Sequence, residues 1–402
     1  MLPTFNRAKF ITEAIGAVIA QMTADDELLV IDDGSTDGTP DIVAAMGERV
    51  RYVRQDNSGK SAALNLGLSM TTGAFVMICD DDDVLRADTV AALMTQLDET
   101  QADFVFGRYS RFRSDENGAP IDMGTGYWPN LSSGLLVRHI LEDAFVMQNA
   151  AIVRRSAYDR VGPFDVTMLR SLDYEMFVRL ALSCTSAYCD RYIFDQRKHE
   201  GVRGPAQALH AATKSDSVWR GYDQRIFTKL YDQLTLSDYA AMYVSEDPRR
   251  LQRAALLQRA CIYARHDLWQ IALRDLQAAA DIMTQALDAG EIDICARSLN
   301  GKHGISGATD VAVVEALRAL LRHSLVGGEI VRAMLDGALW RLRAGTENDA
   351  VEMRKLILSL VGRLGLVRAL IRKKRNRTKR QPALLSESKT WAARADHPLL
   401  LS

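Results

Sequence analysis

The stretch FVMICDDDD, residues 75–83, decides the fold of the first half of the chain. Its apolar residues run on without polar interruption, which is typical of a strand buried on both faces of a parallel sheet. Four adjacent carboxylates follow the strand, and they repel one another. At an effective dielectric of about 20, two like charges some 4 Å apart cost roughly 4 kcal/mol. The sequence therefore predicts a strand whose carboxyl end needs opposite charge.

Strands and helices alternate on both sides of this stretch. ELLVIDD (27–33) predicts a second strand that ends in acids, and Thr39–Pro40 marks a helix start. This order predicts a mainly parallel sheet with helices on both faces. Ligands of such sheets bind beyond the carboxyl ends of the strands, so Asp32, Asp33 and the four-aspartate run belong on one edge. VRYV (50–53) and DFVFGRY (103–109) predict further strands, and SAALNLGLSM (61–70) and a segment from about Asp88 predict further helices.

The rest of the chain has a different character. Segment 110–146 is glycine-rich and irregular, and it predicts a long functional loop. From about residue 206 only helical patterns remain, with a break expected near His266–Asp267 and later helices at about 310–324, 328–343 and 347–372. We expect an α/β domain with a Rossmann-like, mainly parallel sheet over 1–205, helical regions over 206–300 and 301–372, and a basic, disordered tail over 373–402.

Composition excludes several classes of function. The chain has 402 residues, 48% of them hydrophobic, and a formal net charge of −1, so no global field attracts nucleic acid. Its five cysteines are scattered and odd in number, which favours a reducing cytoplasm. We find neither a secretory signal nor a run of about 18 apolar residues. A cytoplasmic protein that binds no nucleic acid is expected.

The acidic run indicates a cation site. Hard carboxylate oxygens suit Mg²⁺ or Mn²⁺, which would neutralise the crowded charge. Asp80 and Asp82 share a side if the extended backbone continues past the strand. The alternative is a solvated acidic loop.

Seven segments, in order along residues 1–205, resemble the family 2 glycosyltransferases, which have the GT-A fold, depend on nucleotide-sugars and invert configuration. The run of aspartates falls where that family has its Asp-x-Asp metal motif. The matching segments are PTFNR (3–7), LLVIDDGSTDGT (28–39), NSGKSAALNLGL (57–68), CDDDD (79–83), RRSAYDRVGPFD (154–165), SLDYEMFVRLA (171–181) and YIFDQRKHEG (192–201).

The resemblance implies a set of donor contacts. The backbone at Pro3 and Thr4 would flank the nucleotide base, Asp33 would accept hydrogen bonds from the base, and Asp32 would support the turn. Lys60, in a glycine-flanked loop, would add positive charge near the diphosphate; a solvated surface lysine is its alternative.

The resemblance also implies the metal site. Asp82 would bind Mg²⁺ or Mn²⁺, and either Asp80 or Asp81 would reach the ribose or a metal-bound water. Arg197 and His199 alternate along an extended segment, so both side chains project the same way. Arg197 would contact the diphosphate and His199 would be a second metal ligand, with a structural histidine as the alternative.

Asp173 lies where the family keeps its catalytic base. It would deprotonate an acceptor hydroxyl that attacks the anomeric carbon from the far side. An aspartate at a helix start is otherwise often a cap, and Glu175 is a rival base.

These expectations define an enzyme that moves a sugar from a nucleotide-sugar, UDP-linked donor to an acceptor hydroxyl. The acceptor would be a saccharide, a lipid-linked molecule or a protein, in cell-envelope polysaccharide, glycolipid or glycoprotein synthesis. Tyr127, Trp128 and Gln148 are expected to contact the acceptor sugar. The C-terminal helix ends in RKKRNRTKR (372–380), which predicts contact with an anionic membrane on its inner face; a packed helix with a solvated basic end is the alternative.

Departures from the family pattern leave other functions open. Only Met1 and Leu2 precede Pro3, so we expect a truncated first strand and a coding start further upstream. Leu172 and Leu64 replace a glutamate and an arginine that are common in the family. An inactive scaffold with a helical interaction module is therefore an alternative. A haloacid-dehalogenase-like phosphatase, with Asp80 as nucleophile, is a remote one.

Overall fold

The computed structural model describes residues 1–132, 134–199, 215–376 and 390–391. The chain divides into two units. The first consists of Met1–Ile140, Ala144–Trp219 and Leu385–Ser402, and the second of Leu141–Asp143 and Arg220–Leu384. Most of the predicted tail, the end of the basic cluster and the start of the first predicted helical region lie outside the described residues. The second unit contains residues from both predicted helical regions.

The first unit alternates strands and helices over most of its length, as predicted. The alternation arises because short apolar runs and helically spaced apolar residues follow each other along the chain. The elements are β1 (Leu2–Thr4), α1 (Ile11–Ile19), β2 (Leu28–Asp32), α2 (Thr39–Ala44), β3 (Val50–Arg54), α3 (Lys60–Met70), β4 (Phe75–Met77), β5 (Val84–Leu85), α4 (Thr89–Thr100), β6 (Phe104–Ser114), β7 (Pro120–Thr125), α5 (Leu136–Glu142, whose last residues belong to the second unit), β8 (Ala151–Arg154), α6 (Arg155–Val161), α7 (Leu172–Ser183), β9 (Ser186–Arg197) and β10 (Thr390–Trp391).

Two sheets bring the strand ends together. β1, β2 and β3 form a parallel sheet in that order, with Thr4 opposite Asp32. The second sheet has the order β10-β9-β6-β8-β4; β6 and β9 are parallel, and its other pairs are antiparallel. Backbone hydrogen bonds join the sheets, because the amino group of Met1 donates to Met77 (2.8 Å) and Cys79 donates to the Met1 carbonyl (3.0 Å). The carboxyl ends of β1, β2 and β4 therefore lie side by side.

The first strand is present but short, since β1 has three residues, which pair with β2. Its leucine, Leu2, is fully buried and packs with Ile11, Ile15 and Val30. This contact places the inner face of α1 on the sheet beside the carboxyl edge.

Segment 110–146 is not one long loop. β6 extends to Ser114 and forms a hairpin with β7, in which Ser110 lies opposite Thr125. Every residue of Pro120–Thr125 is exposed, so no alternation of buried and exposed residues is imposed on this part of the sequence. That exposure explains why the pattern concealed a strand.

Every regular element that the structure describes in residues 220–376 is a helix. The predicted break at His266–Asp267 is confirmed, since Asp267 has a positive φ of 62° between two helices that pack together. No described helix combines the length and the apolar character needed to cross a bilayer. The helices are α8 (Ser215–Gln233, which begins in the first unit), α9 (Leu236–Ala240), α10 (Pro248–Arg265), α11 (Trp269–Ile282), α12 (Ala289–Arg297), α13 (Val311–His323), α14 (Leu325–Ala338), α15 (Arg341–Ala344) and α16 (Glu347–Asn376, interrupted at Gly362). The predicted order of an α/β part followed by an all-α region is confirmed.

Candidate functional site

Asp33 organises the loop that leads into α3. Its carboxylate accepts hydrogen bonds from the Gln55 side chain (2.6 Å), the Asn57 side chain (3.2 Å) and the backbone nitrogens of Ser58 and Gly59 (2.8 Å each). Two donors reach each oxygen, which uses the lone pairs in the carboxylate plane. The predicted contact of Asp33 with a nucleotide base stays a prediction, and it requires one of these donors, most simply the mobile amide of Gln55, to move.

Asp32 supports the neighbouring turn, in the role assigned by the resemblance. Its fully buried carboxylate accepts from the Ser35 backbone nitrogen (2.7 Å) and from the Tyr52 hydroxyl (2.5 Å). The carbonyl of Thr4 accepts from the Asp33 nitrogen at 2.9 Å, and Pro3 lies opposite Ile31 in the sheet. The backbone of Pro3 and Thr4 is thus at the predicted edge, while its contact with a base stays a prediction.

Several groups of the fold pair with the carboxylates of the acidic run. Asp80 pairs with the Lys60 ammonium. Asp81 lies 3.3 Å from Arg7 Nε and accepts from the Phe5 backbone nitrogen, also at 3.3 Å. These partners come from the loop after β1 and from the start of α3, so the fold itself supplies opposite charge to the crowded acids.

Asp82 and Asp83 point to other groups. Asp82 Oδ2 lies 3.1 Å from His199 Nε2 and 3.6 Å from Arg7 Nε. Asp83 accepts from the Asn149 amide (2.7 Å) and from the Arg197 backbone nitrogen (2.9 Å). The expectation that Asp80 and Asp82 share a side was wrong, because β4 ends at Met77 and the run turns; Asp81 and Asp82 instead share Arg7.

The environments of Asp81, Asp82 and Asp83 shift the pKa values of these three carboxyls in different directions. Burial, with the charge of Asp82 beside it, raises the pKa of Asp81 to about 7. Burial and the neighbouring acids also raise the pKa of Asp83 well above its usual value. Burial acts the same way on Asp82, but the His199 hydrogen bond and the charge of Arg7 outweigh it and lower the pKa. Asp82 is therefore the acid of this set whose ionised form the surroundings favour most clearly.

Asp82 and His199 could hold a divalent cation. Two ligand atoms that each lie about 2.1 Å from one cation are typically about 3 Å apart, which the 3.1 Å between Asp82 Oδ2 and His199 Nε2 matches. The side chains are 20% and 17% exposed, so an ion can reach them. The carboxylate oxygen suits Mg²⁺ or Mn²⁺, whereas the imidazole nitrogen favours a transition metal and therefore Mn²⁺ over Mg²⁺. The His199 ring also stacks on Phe10, with centroids 5.2 Å apart, which orients the imidazole.

Arg197 contacts protein groups through its whole guanidinium. It pairs with Glu13, donates to the Asp82 carbonyl (3.0 Å) and to the Ser114 hydroxyl (3.1 Å), and stacks on Phe112. The side chain is 7% exposed. Its predicted contact with a diphosphate stays a prediction; what the geometry establishes is that Arg197 fixes the acidic run.

Asp173 lies in the first turn of α7, not at its cap. The capping residue is Ser171, which has a φ of 54°, while Asp173 Oδ1 accepts from the Tyr174 nitrogen at 2.9 Å. The charge of Asp173 also raises the pKa of Lys60, which places it within electrostatic reach of the acidic run. Its rival Glu175 is buried and makes a two-point ion pair with Arg179 (2.8 and 2.7 Å), so it cannot approach a substrate.

The residues expected to contact an acceptor have different environments. Tyr127 is exposed, whereas Trp128 packs against Phe145 and Tyr188 with ring centroids 5.2 and 5.5 Å away. Gln148 is buried, and its Oε1 has no hydrogen-bond partner in the described structure. Their sugar contacts stay predictions, and the packing of Trp128 reduces the area of its ring that a sugar could cover.

Sequence reasoning missed two residues that build the site. Arg7 bridges Asp81 and Asp82, and Asn149 connects Asp83 with the backbone nitrogen of Asp80 (3.2 Å). Arg7 lies in the quoted segment PTFNR, so its charge was visible, but nothing local indicated its partners. Asn149 precedes a strand whose position beside β4 depends on tertiary pairing.

A second group of metal-binding residue types lies in the second unit. Asp223, His266 and His303 bring ligand atoms within 4.8 Å of one another. Asp223 Oδ2 is, however, 2.8 Å from both the Lys302 ammonium and His303 Nε2. Because an ammonium already neutralises this carboxylate, we assign no cation to the group.

A parallel sheet with acids at its carboxyl edge and a glycine-bounded loop before a helix defines the α/β proteins that bind nucleotides at that edge. Residues 1–162 match the sequence model described as glycosyl transferase family 2, so this part of the chain is similar to that family. The predicted GT-A fold agrees with this match, and the phosphatase alternative does not.

Two curated relatives and one solved structure are similar to the chain. The chain is 30% identical over 168 residues to glycosyltransferase GlyA of Streptococcus pneumoniae, covering 41% of this chain and 20% of GlyA. It is 34% identical over 122 residues to GlyG of the same organism, covering 29% of this chain and 40% of GlyG. The crystal structure of S. aureus TarS in complex with UDP-GlcNAc superimposes with a TM-score of 0.48 at 14% identity, covering 83% of this chain and 89% of that one. The chain thus spans less than half the length of these two curated relatives.

Proposed function

We propose that the chain is an inverting glycosyltransferase that moves a sugar from a nucleotide-sugar to an acceptor hydroxyl. The match of residues 1–162 to glycosyl transferase family 2 supports the reaction class. The observation that carries the proposal is the Asp82–His199 pair at the carboxyl edge. Asp173 belongs to the same surroundings, because its charge and those of Asp80 and Asp81 all raise the pKa of Lys60. These groups supply a cation site, a positive side chain and a base within one edge of the first unit.

In the proposed reaction Asp173 accepts the proton of the acceptor hydroxyl. The hydroxyl oxygen forms a bond to the anomeric carbon while the bond from that carbon to the diphosphate oxygen breaks. A cation held by Asp82 and His199 would neutralise charge on the departing diphosphate. Lys60 adds a further positive charge beside Asp80, and Asp33 holds the loop that positions it.

We further propose a UDP-linked donor and a saccharide, lipid-linked or protein acceptor of cell-envelope synthesis on the cytoplasmic side. Five free, buried cysteines agree with a reducing compartment. Donor contacts are proposed for Pro3, Thr4, Asp33, Lys60, Asp80, Asp81 and Arg197.

Thermal unfolding with nucleoside diphosphates and Mn²⁺ tests the proposal directly. A ligand at 100 times its dissociation constant should add about 2.7 kcal/mol to the unfolding free energy. We expect UDP to do so only with Mn²⁺, and Asp82→Ala to abolish the effect while remaining folded. Lack of stabilisation by any nucleoside diphosphate in the unmodified chain would contradict the transferase and favour the inactive scaffold.

We also propose that the end of α16 lies on an anionic membrane. Leu364 and Val367 are one helical turn apart and 76% and 53% exposed, and four basic residues follow at 372–375. Exposed apolar side chains beside basic ones fit a negatively charged bilayer surface. Flotation with vesicles containing about 30% phosphatidylglycerol should carry the chain, and a Leu364→Glu, Val367→Glu double variant should not float. Equal flotation of both proteins would contradict membrane contact through Leu364 and Val367 and would favour the alternative, a packed helix with a solvated basic end.

A further inference from the structure

Lys60 is held in place by the same loop that Asp33 organises. It is the first residue of α3 and follows Gly59, whose φ of 91° requires a residue without a side chain. The Gly59 nitrogen donates to Asp33, which fixes the start of the helix relative to β2. The backbone position of Lys60 is therefore fixed, and its ammonium can change partner only by rotation of the side chain.

The ammonium of Lys60 acts on all the acids of the site. It contacts Asp80 directly. Its charge also contributes to the acidity of Asp82 and Asp83, and the charges of Asp173 and Asp81 in turn raise its own pKa, with burial opposing them. Lys60 is thus a monovalent cation placed by the fold among the carboxylates that a divalent cation would use.

Two cations cannot occupy this edge without repelling each other. The Lys60 side chain is 34% exposed, so its stem can turn toward solvent or toward a ligand that arrives there. A lysine ammonium is a compact charge on four rotatable carbons, which makes it suited to exchanging one anionic partner for another.

We propose that Lys60 exchanges partners when the donor binds. In the nucleotide-free protein its ammonium neutralises Asp80 and opposes binding of a divalent cation; with a diphosphate present, it transfers to the phosphate oxygens and the opposition disappears. The residue thereby makes cation binding depend on the nucleotide. This inference rests on the proposed function, since it assumes a cation and a nucleoside diphosphate at one site.

Calorimetric titration of Mn²⁺ and UDP into Lys60→Met tests the exchange. Methionine keeps the length and apolar stem of the side chain and removes the charge. Without nucleotide, Mn²⁺ should bind about 5- to 20-fold more tightly to Lys60→Met than to the unmodified chain, because one repulsive charge is gone. In saturating Mn²⁺, UDP should bind about tenfold more weakly, because one phosphate contact is lost. Opposite changes in the two affinities are the signature of the exchange.

Two controls isolate the charge at this position. Lys60→Arg keeps the charge and should bind Mn²⁺ within about twofold of the unmodified chain. Lys355→Met removes a charge from an exposed lysine of α16 in the second unit and should change neither affinity. A Lys60→Met protein with unchanged or weaker Mn²⁺ binding overturns the exchange while leaving the transferase intact. If the unmodified chain binds neither Mn²⁺ nor UDP, the proposed function fails and the exchange fails with it.

Discussion

The protein contains two aspartate–histidine pairs with different consequences. Asp82 and His199 lie 3.1 Å apart in the first unit, and Asp223 and His303 lie 2.8 Å apart in the second. The first pair is 20% and 17% exposed, and the second is 0% and 6% exposed. Residue type alone therefore does not distinguish a site that can bind a ligand from a group that stabilises a core.

Charge balance makes the distinction. In the second unit burial opposes ionisation of Asp223, but the His303 hydrogen bond and the Lys302 charge outweigh it and lower the pKa of that carboxyl. At the edge of the first unit four acids crowd together, and the pKa values of Asp81 and Asp83 are raised mainly by burial. A balance that depends partly on protons can be completed by another cation, whereas one made of fixed ion pairs cannot.

Changing the proposed base should have the largest effect. Asp173→Asn should lower the rate of sugar transfer by about 10²- to 10⁴-fold, because the amide cannot accept the acceptor proton. Affinity for UDP with Mn²⁺ should stay within about twofold. Asp159→Asn, at an exposed aspartate of α6, is the matched control and should leave the rate unchanged. Normal transfer by Asp173→Asn would assign the base elsewhere.

A substitution in the Asp223–His303 pair should change the stability of the protein but not its ligand binding. Asp223→Asn should lower the free energy of unfolding of the second unit by about 2 to 3 kcal/mol, since it removes the buried carboxylate that the Lys302 ammonium and His303 Nε2 share. Binding of Mn²⁺ and UDP should be unaffected. Chemical denaturation together with calorimetry measures both quantities. Loss of a bound metal on making this variant would show that the second pair is a cation site after all.

Acidification should lower the stability of the second unit through His266. Burial lowers the pKa of His266 to about 3, below the value of about 6.5 expected when unfolded. Between these pH values the unfolded chain binds the extra proton, so stability falls as pH falls, by about 1.4 kcal/mol per pH unit for this group. From pH 6 to pH 4 the loss should be about 2 to 3 kcal/mol. Urea titrations at the two pH values should show a smaller loss of unfolding free energy for His266→Gln. An equal loss in both proteins would mean that other groups cause it.

The smallest effect concerns the crowded carboxylate of Asp33. Gln55→Ala removes one of its four donors and should cost about 1 kcal/mol of stability. If Asp33 contacts the base, the vacated lone pair should let UDP bind about threefold more tightly, since nothing has to move. Calorimetry at fixed Mn²⁺ measures this. Unchanged affinity with reduced stability would restrict Asp33 to holding the loop.

Much of the fold could be read from local pattern. The apolar runs at 28–31 and 75–79, the helical spacing of α1 and the break at His266–Asp267 each follow from periodicity or a turn within a few residues. The hairpin of β6 and β7 could not be read, because a strand exposed on both faces carries no alternation. The placement of the acids at a sheet edge was also predictable, since strand ends in parallel sheets coincide.

The sequence by itself determined which groups are present, in what order, and that their strands end at a common edge. Only the tertiary structure decided which charges meet. Asp82 and His199 are 117 positions apart, and Asp83 meets the backbone of Arg197 across 114. Local periodicity reports which face of an element is buried, whereas a pairing between distant residues depends on how whole elements pack. For that reason the acids were foreseen, while the roles of Arg7 and Asn149 emerged from packing.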